Sequence, residues 1–171
     1  MVQLAELEHG LFLGTMHAAA DRPLLGALGV THVVNLSPAD CPDHFDAQIS
    51  YLRVQHAEAA GPNLGHCLRL VHAALSVGGC VLLHCRMALS RSPCIAAAYL
   101  MWTAQKPMSV AEALLRVRAV WPRMAPCDAD LAILVELELE LAERPVSELP
   151  LPVAADVDEV TTEPIERPMD L

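Results

Sequence analysis

Between Gly79 and Pro93 the chain reads Cys-Val-Leu-Leu-His-Cys-Arg-Met-Ala-Leu-Ser-Arg-Ser. Residues 80–84 form a short continuous apolar run behind Gly78-Gly79, the pattern of a strand buried on both faces. Such a strand needs a sheet with helices packed on both sides. The next segment, residues 92–106, is rich in helix formers and carries Pro93 in its first turn, where proline is tolerated. A buried strand, a tight loop and a helix therefore form the unit around which the rest must be arranged.

The remaining segments fit an α/β chain. Leu11–Gly14 and the β-branched stretch Thr31–Leu36 read as strands, and Ser50–Val54 alternates like one. Residues 18–29 read as a helix that stops near Gly29. Residues 37–49 read as a loop. Gly61-Pro62 closes a second loop, and Asn63 can cap a helix whose Leu64, Leu68, Val71 and Leu75 share one face. Ser109 and Glu112 make a capping box for a helix over 110–120. Residues 128–143 nearly alternate from Leu134 to Leu141, but their Leu, Glu and Ala favour helix. The predicted fold is a central, mostly parallel sheet flanked by helices, with a C-terminal helical cluster. Residues 1–143 form the domain. Residues 144–171, rich in proline and acid, read as a disordered tail.

Composition narrows the function classes. The chain is 54% hydrophobic and carries a formal net charge of −10, which argues against general binding to nucleic acid or anionic membrane. Any anion site must be local. No signal-like start and no membrane-length apolar run is present, and the cysteines form no C-x-x-C pair. A reduced cytoplasmic or nuclear setting is expected. The histidines are scattered without ligand spacing, so no metal and no cofactor is expected.

The loop after the buried strand is an anion site by construction. A helix N-terminus offers unpaired N–H groups and partial positive charge, and successive loop amides add a nest for oxyanions. A cysteine at the strand end points its sulfur into that nest, a setting that favours thiolate. Arg91 sits where the helix starts, and its planar fork can hold two phosphate oxygens. The Cys-x5-Arg spacing alone is weak, since Cys80 and Arg86 share it. Only the Cys85–Arg91 copy has the strand before it and the helix after it.

With His84 before and Ser92 after, "HCRMALSRS" resembles the signature His-Cys-x-x-Gly-x-Ser-Arg-Ser of dual-specificity phosphatases. "LGVTHVVNLS", "YLRV", "VLLHC" and "AYLM" extend the resemblance over most of residues 4–143, and it is to the small atypical members. The resemblance implies Cys85 as nucleophile and Arg91 as phosphate clamp. It implies Ser92 as a hydrogen-bond donor to the thiolate, and His84 as a residue that sets the loop and the thiol. The amides of Arg86, Met87, Ala88, Leu89, Ser90 and Arg91 would hold the phosphate oxygens. Arg86 itself falls at a variable position.

Three departures matter. Ala88 replaces a family glycine, and if positive φ is required there its methyl costs about 1–2 kcal/mol. Ungapped alignment puts Glu58 where the family has an aspartic general acid; Asp43 and Asp46 lie on another loop and are weaker candidates. Asp130 stands where a phenylalanine is usual, which concerns helix docking rather than chemistry. The expected function is a cysteine-dependent phosphatase of phosphotyrosine and phosphoserine/threonine in phosphoprotein substrates. The alternatives are a pseudophosphatase-like phosphate-binding or scaffolding module, favoured by Ala88 and Glu58, and a phosphatase of RNA ends or phosphoinositides, which would want more basic residues.

Overall fold

The computed structural model describes residues 3–45, 47–55, 62–144 and 150. Its centre is a five-stranded sheet in the order β1-β2-β5-β3-β4. The strands are β1 (Leu4–Glu8), β2 (Leu11–Thr15), β3 (Val30–Asn35), β4 (Ser50–Arg53) and β5 (Cys80–Cys85). β5 lies in the middle and pairs parallel with β2 and β3, β4 is parallel to β3, and β1 alone is antiparallel. The mostly parallel α/β class read from the apolar run is what the structure shows.

Residues 81–85 are all buried, and strand alternation sorts them between two faces. Val81, Leu83 and Cys85 join the larger core, with the helices α3 (Pro62–Ser76), α4 (Arg91–Thr103), α5 (Val110–Val120) and α6 (Asp128–Ala142). Leu82 joins Phe12, Leu25 and Val33 on the other face, beneath α1 (Met16–Ala19) and α2 (Arg22–Ala27). Helix α4 is buried from Ser92 to Met101, which matches its nearly continuous apolar sequence.

Four readings change in detail. The helix expected over 18–29 is two short ones, because Pro23 has no N–H and fits the first turn of a helix but not its interior. The chain restarts at Asp21, whose carboxylate accepts from Leu24 N–H at 3.0 Å. Strand β1 was not expected: Leu, Ala and Glu carry no strand propensity, and pairing with β2 decides its state. Asn63 is not the cap of α3, since that helix already begins at Pro62, a first-turn position that suits proline. Helix α4 stops at Thr103 rather than 106, and Ala104 is already extended.

The ambiguous last element is helical. Leu137 is 6% exposed and Leu139 is 66% exposed, and Leu134 is buried with Leu137 at the helical spacing of three. The acidic tail, apart from Arg144 and Pro150, lies outside the described residues. Among the described residues no helix is long and apolar enough to cross a membrane.

Candidate active site

The site forms where three parallel strands end together. Thr15 of β2 is in register with Cys85, and Asn35 of β3 with His84. Cys85 closes β5, is 5% exposed, and is followed by a loop that runs straight into α4 at Arg91.

The loop backbone has a definite polarity. Four of its carbonyls accept hydrogen bonds from the surrounding chain. That of Arg86 accepts from Met16 N–H at 3.2 Å, that of Leu89 from Ala125 N–H at 2.7 Å, and that of Ser90 from Cys94 N–H at 2.9 Å. The Ala88 carbonyl accepts from the Trp121 indole at 2.7 Å. Among the described residues, no hydrogen bond uses the N–H groups of residues 86–90 as donors. A loop whose carbonyls are engaged by the surrounding protein and whose amides remain available is a nest for an anion.

Ala88 has φ 53°, the single positive φ outside glycine among the described residues. The positive φ considered from the sequence is therefore adopted despite the methyl group. Alanine is fully buried there, and the bonds to the Arg86 and Ala88 carbonyls fix the backbone on either side of the strained angle. Met87 and Leu89, by contrast, are 49% and 37% exposed and form an apolar rim.

The side chains expected from the sequence take the following places. Ser92 is fully buried and its hydroxyl donates to Cys85 Sγ at 3.3 Å. Arg91 Nη1 donates to Ser37 Oγ at 2.7 Å and to the Leu36 carbonyl at 3.3 Å. Its guanidinium is thus tethered to the end of β3. The Cys41 thiol is pushed up by burial first, then by Asp40 and Cys85, and is pulled down by Arg86 and Arg91. Cys85 and both arginines therefore lie within electrostatic reach of one buried sulfur. Burial pulls His84 down to about 4, opposed by the Cys85 backbone and Asp43, while His44 lowers it further. The imidazole is neutral at neutral pH, and its Nδ1 has no partner among the described residues. Any influence of His84 on the thiol thus runs through geometry and not through charge.

Of the acid candidates, Glu58 and Asp46 lie outside the described residues. Asp43 is inside, with a side chain 4% exposed and ion-paired to Arg53. It also accepts from Asn35 Nδ2 at 2.9 Å. That carboxylate is committed to fastening the loop after β3. The same Asn35 amide donates to the Cys41 carbonyl at 2.8 Å, and its Oδ1 accepts from Ser37 N–H at 3.0 Å. Among the described residues no cluster of three or more His, Cys, Asp or Glu could hold a metal.

Sequence reasoning missed the supports. Asn35 was read only as part of a strand and Ser37 as the start of a loop, and Trp121 was not singled out at all. Asp130 does dock α6, but it docks it on the loop itself: its carboxylate accepts from Ser90 Oγ. Only the buried polar character of these residues could have marked them, and burial is not legible before the fold is known.

Comparison with known proteins places these features in one family. The sequence profile described as dual specificity phosphatase, catalytic domain, matches residues 11–139. Dual specificity protein phosphatase 1 of Arabidopsis thaliana is 32% identical over 136 residues, covering 77% of this chain and 67% of that protein. Dual specificity protein phosphatase 4 of Homo sapiens is 36% identical over 95 residues, covering 53% of this chain and 24% of that protein. The chain thus spans about a quarter of the human relative's length. The crystal structure of human DUSP28 superposes with a TM-score of 0.68 at 28% identity, covering 83% of this chain and 97% of that one. By profile, by relatives and by fold, the chain belongs to the dual specificity phosphatase family.

Proposed function

We propose that this protein is a cysteine-dependent phosphatase of phosphoproteins, acting on phosphotyrosine and phosphoserine/threonine. The observation that carries the reading is the loop polarity: carbonyls engaged by the surrounding protein, available amides, and a thiol at the base that accepts from Ser92 at 3.3 Å. The phosphoryl group would sit in the nest with its oxygens on the amides of residues 86–91 and on the Arg91 guanidinium. Cys85 thiolate attacks phosphorus in line, the S–P bond forms and the ester O–P bond breaks. The proton for the leaving oxygen comes from Glu58, the acid that alignment assigns. Water then attacks the phosphocysteine, giving its proton to the Glu58 carboxylate. Phosphate leaves with the oxygen of water, and the thiolate is restored with help from the Ser92 hydroxyl. A reducing, cytoplasmic compartment suits this chemistry, which needs Cys85 as a free thiol.

The binding-module reading rests on Ala88. The clamp from Trp121 and Ala125 supports the enzyme instead, because it holds the loop backbone in the positive-φ form that the methyl group disfavours.

The test is hydrolysis of p-nitrophenyl phosphate and of phosphotyrosine and phosphothreonine peptides. Wild type is expected to turn over all three and Cys85→Ser none. Glu58→Gln is expected to slow the phosphothreonine peptide, whose alkoxide leaves poorly, more than the aryl phosphate. Undiminished turnover in Cys85→Ser removes the nucleophile assignment, and absence of turnover in wild type overturns the protein-phosphatase reading.

A further inference from the structure

Ser90 is the N-cap residue of α4, yet its side chain makes no capping bond. A serine at this position ordinarily accepts from the second or third N–H of the helix. Here the third residue is Pro93, which has no N–H, so the single capping donor on offer is Ser92 N–H. That amide lies one residue beyond the loop amides of residues 86–91, inside α4.

The structure turns Ser90 the other way. Its hydroxyl donates to Asp130 Oδ2 and accepts from Cys127 N–H at 2.8 Å. Cys127 Sγ also reaches Asp130 Oδ2, at 3.3 Å. Asp130 is 3% exposed and stands in the first turn of α6. A buried carboxylate is costly unless it is bonded. Placed beside a phosphate loop it also works against anion binding, so its presence needs a compensating role.

We infer that Asp130 is a positioning residue for the phosphate loop: by accepting a hydrogen bond from the Ser90 hydroxyl it ties that residue to α6 and so fixes the loop amides that face the substrate. This inference rests on the loop being a phosphate site. It does not depend on turnover.

Asp130→Asn and Asp130→Ala remove the same charge, but only asparagine keeps an acceptor for the Ser90 hydroxyl. Inorganic phosphate binding to the full chain, followed by calorimetry, separates the two effects. Asp130→Ala is expected to bind phosphate roughly tenfold more weakly than Asp130→Asn, the size of one hydrogen bond to a charged group. In the Ser90→Ala background the two are expected to bind alike, since no hydroxyl remains to be held. Thermal midpoints measured alongside report any cost of helix docking. Equal phosphate affinity in the two single variants overturns the inference, as does a difference that survives Ser90→Ala, or a wild type that does not bind phosphate. A wild type that binds phosphate but hydrolyses no phosphoester removes the enzymatic reading and leaves this one standing.

Discussion

Ala88→Gly is the sharpest perturbation, because its effects on stability nearly cancel and the loop is held by bonds from elsewhere in the fold. Three contributions decide the stability. Relief of a positive φ of 53° favours glycine by about 1–2 kcal/mol. The greater backbone freedom of glycine in the unfolded chain opposes it by about 0.5–1 kcal/mol. Loss of a fully buried methyl opposes it by roughly 0.8 kcal/mol. The net change is expected to fall within about 1 kcal/mol of zero. The loop itself is held by the Trp121 indole on the Ala88 carbonyl at 2.7 Å. Catalytic efficiency should therefore change by less than about threefold, under 0.7 kcal/mol in the barrier. Trp121→Phe removes that hold and strands a buried carbonyl, at a cost of about 1–3 kcal/mol. With alanine at 88 the loop then relaxes from its strained angle. In the Ala88→Gly background it has less strain to release, so the loss of activity should be smaller. Urea unfolding and aryl phosphate kinetics on the four proteins of this cycle measure both quantities. A gain of more than about tenfold in kcat/KM from Ala88→Gly alone, or strictly additive effects with Trp121→Phe, would refute the argument that tertiary bonds hold the native loop in place.

Further outcomes follow from the same geometry. His84 has its folded pKa lowered from near 6.5 to about 4, so between those values the unfolded chain binds a proton that the folded one refuses. Stability is lost as pH falls through that window; relative to His84→Asn, wild type should lose about 2 kcal/mol more between pH 7.5 and pH 5, and parallel curves would dismiss the buried neutral imidazole. Ser37→Ala frees Arg91 Nη1 from its 2.7 Å partner; KM for aryl phosphate should rise roughly tenfold with rescue by Ser37→Thr, and an unchanged KM would show that the tether does not orient the guanidinium. Ser92→Ala removes the donor 3.3 Å from the sulfur; stopped-flow traces should show a burst of phenol release and a steady state slowed by about a hundredfold, and a trace without a burst at full kcat would exclude its part in phosphocysteine breakdown.

The sequence was sufficient for the central strand, the loop and the following helix, and through them for the nucleophile and arginine candidates. Those depend on local patterning: a short apolar run between Gly-Gly and a tight loop reads as a covered strand, and a thiol at its end meets a helix N-terminus by chain connectivity alone. Strand β1 and the break at Asp21 were not legible in this way. The first depends on a neighbour to pair with, and the second on a proline that excludes what helix propensity favours.

The supports of the site are the clearest case of what only tertiary structure decides. Ser37 is 54 residues from Arg91, Trp121 is 33 from Ala88, and Asp130 is 40 from Ser90. Each pair meets because the helices and strands pack around one sheet, and no periodicity or motif encodes such distances. The sequence by itself set which groups could do chemistry, since reactivity belongs to residue type and local chain direction. The packed fold decided which backbone groups stay available to an anion, because that depends on where every carbonyl and hydroxyl finds its partner.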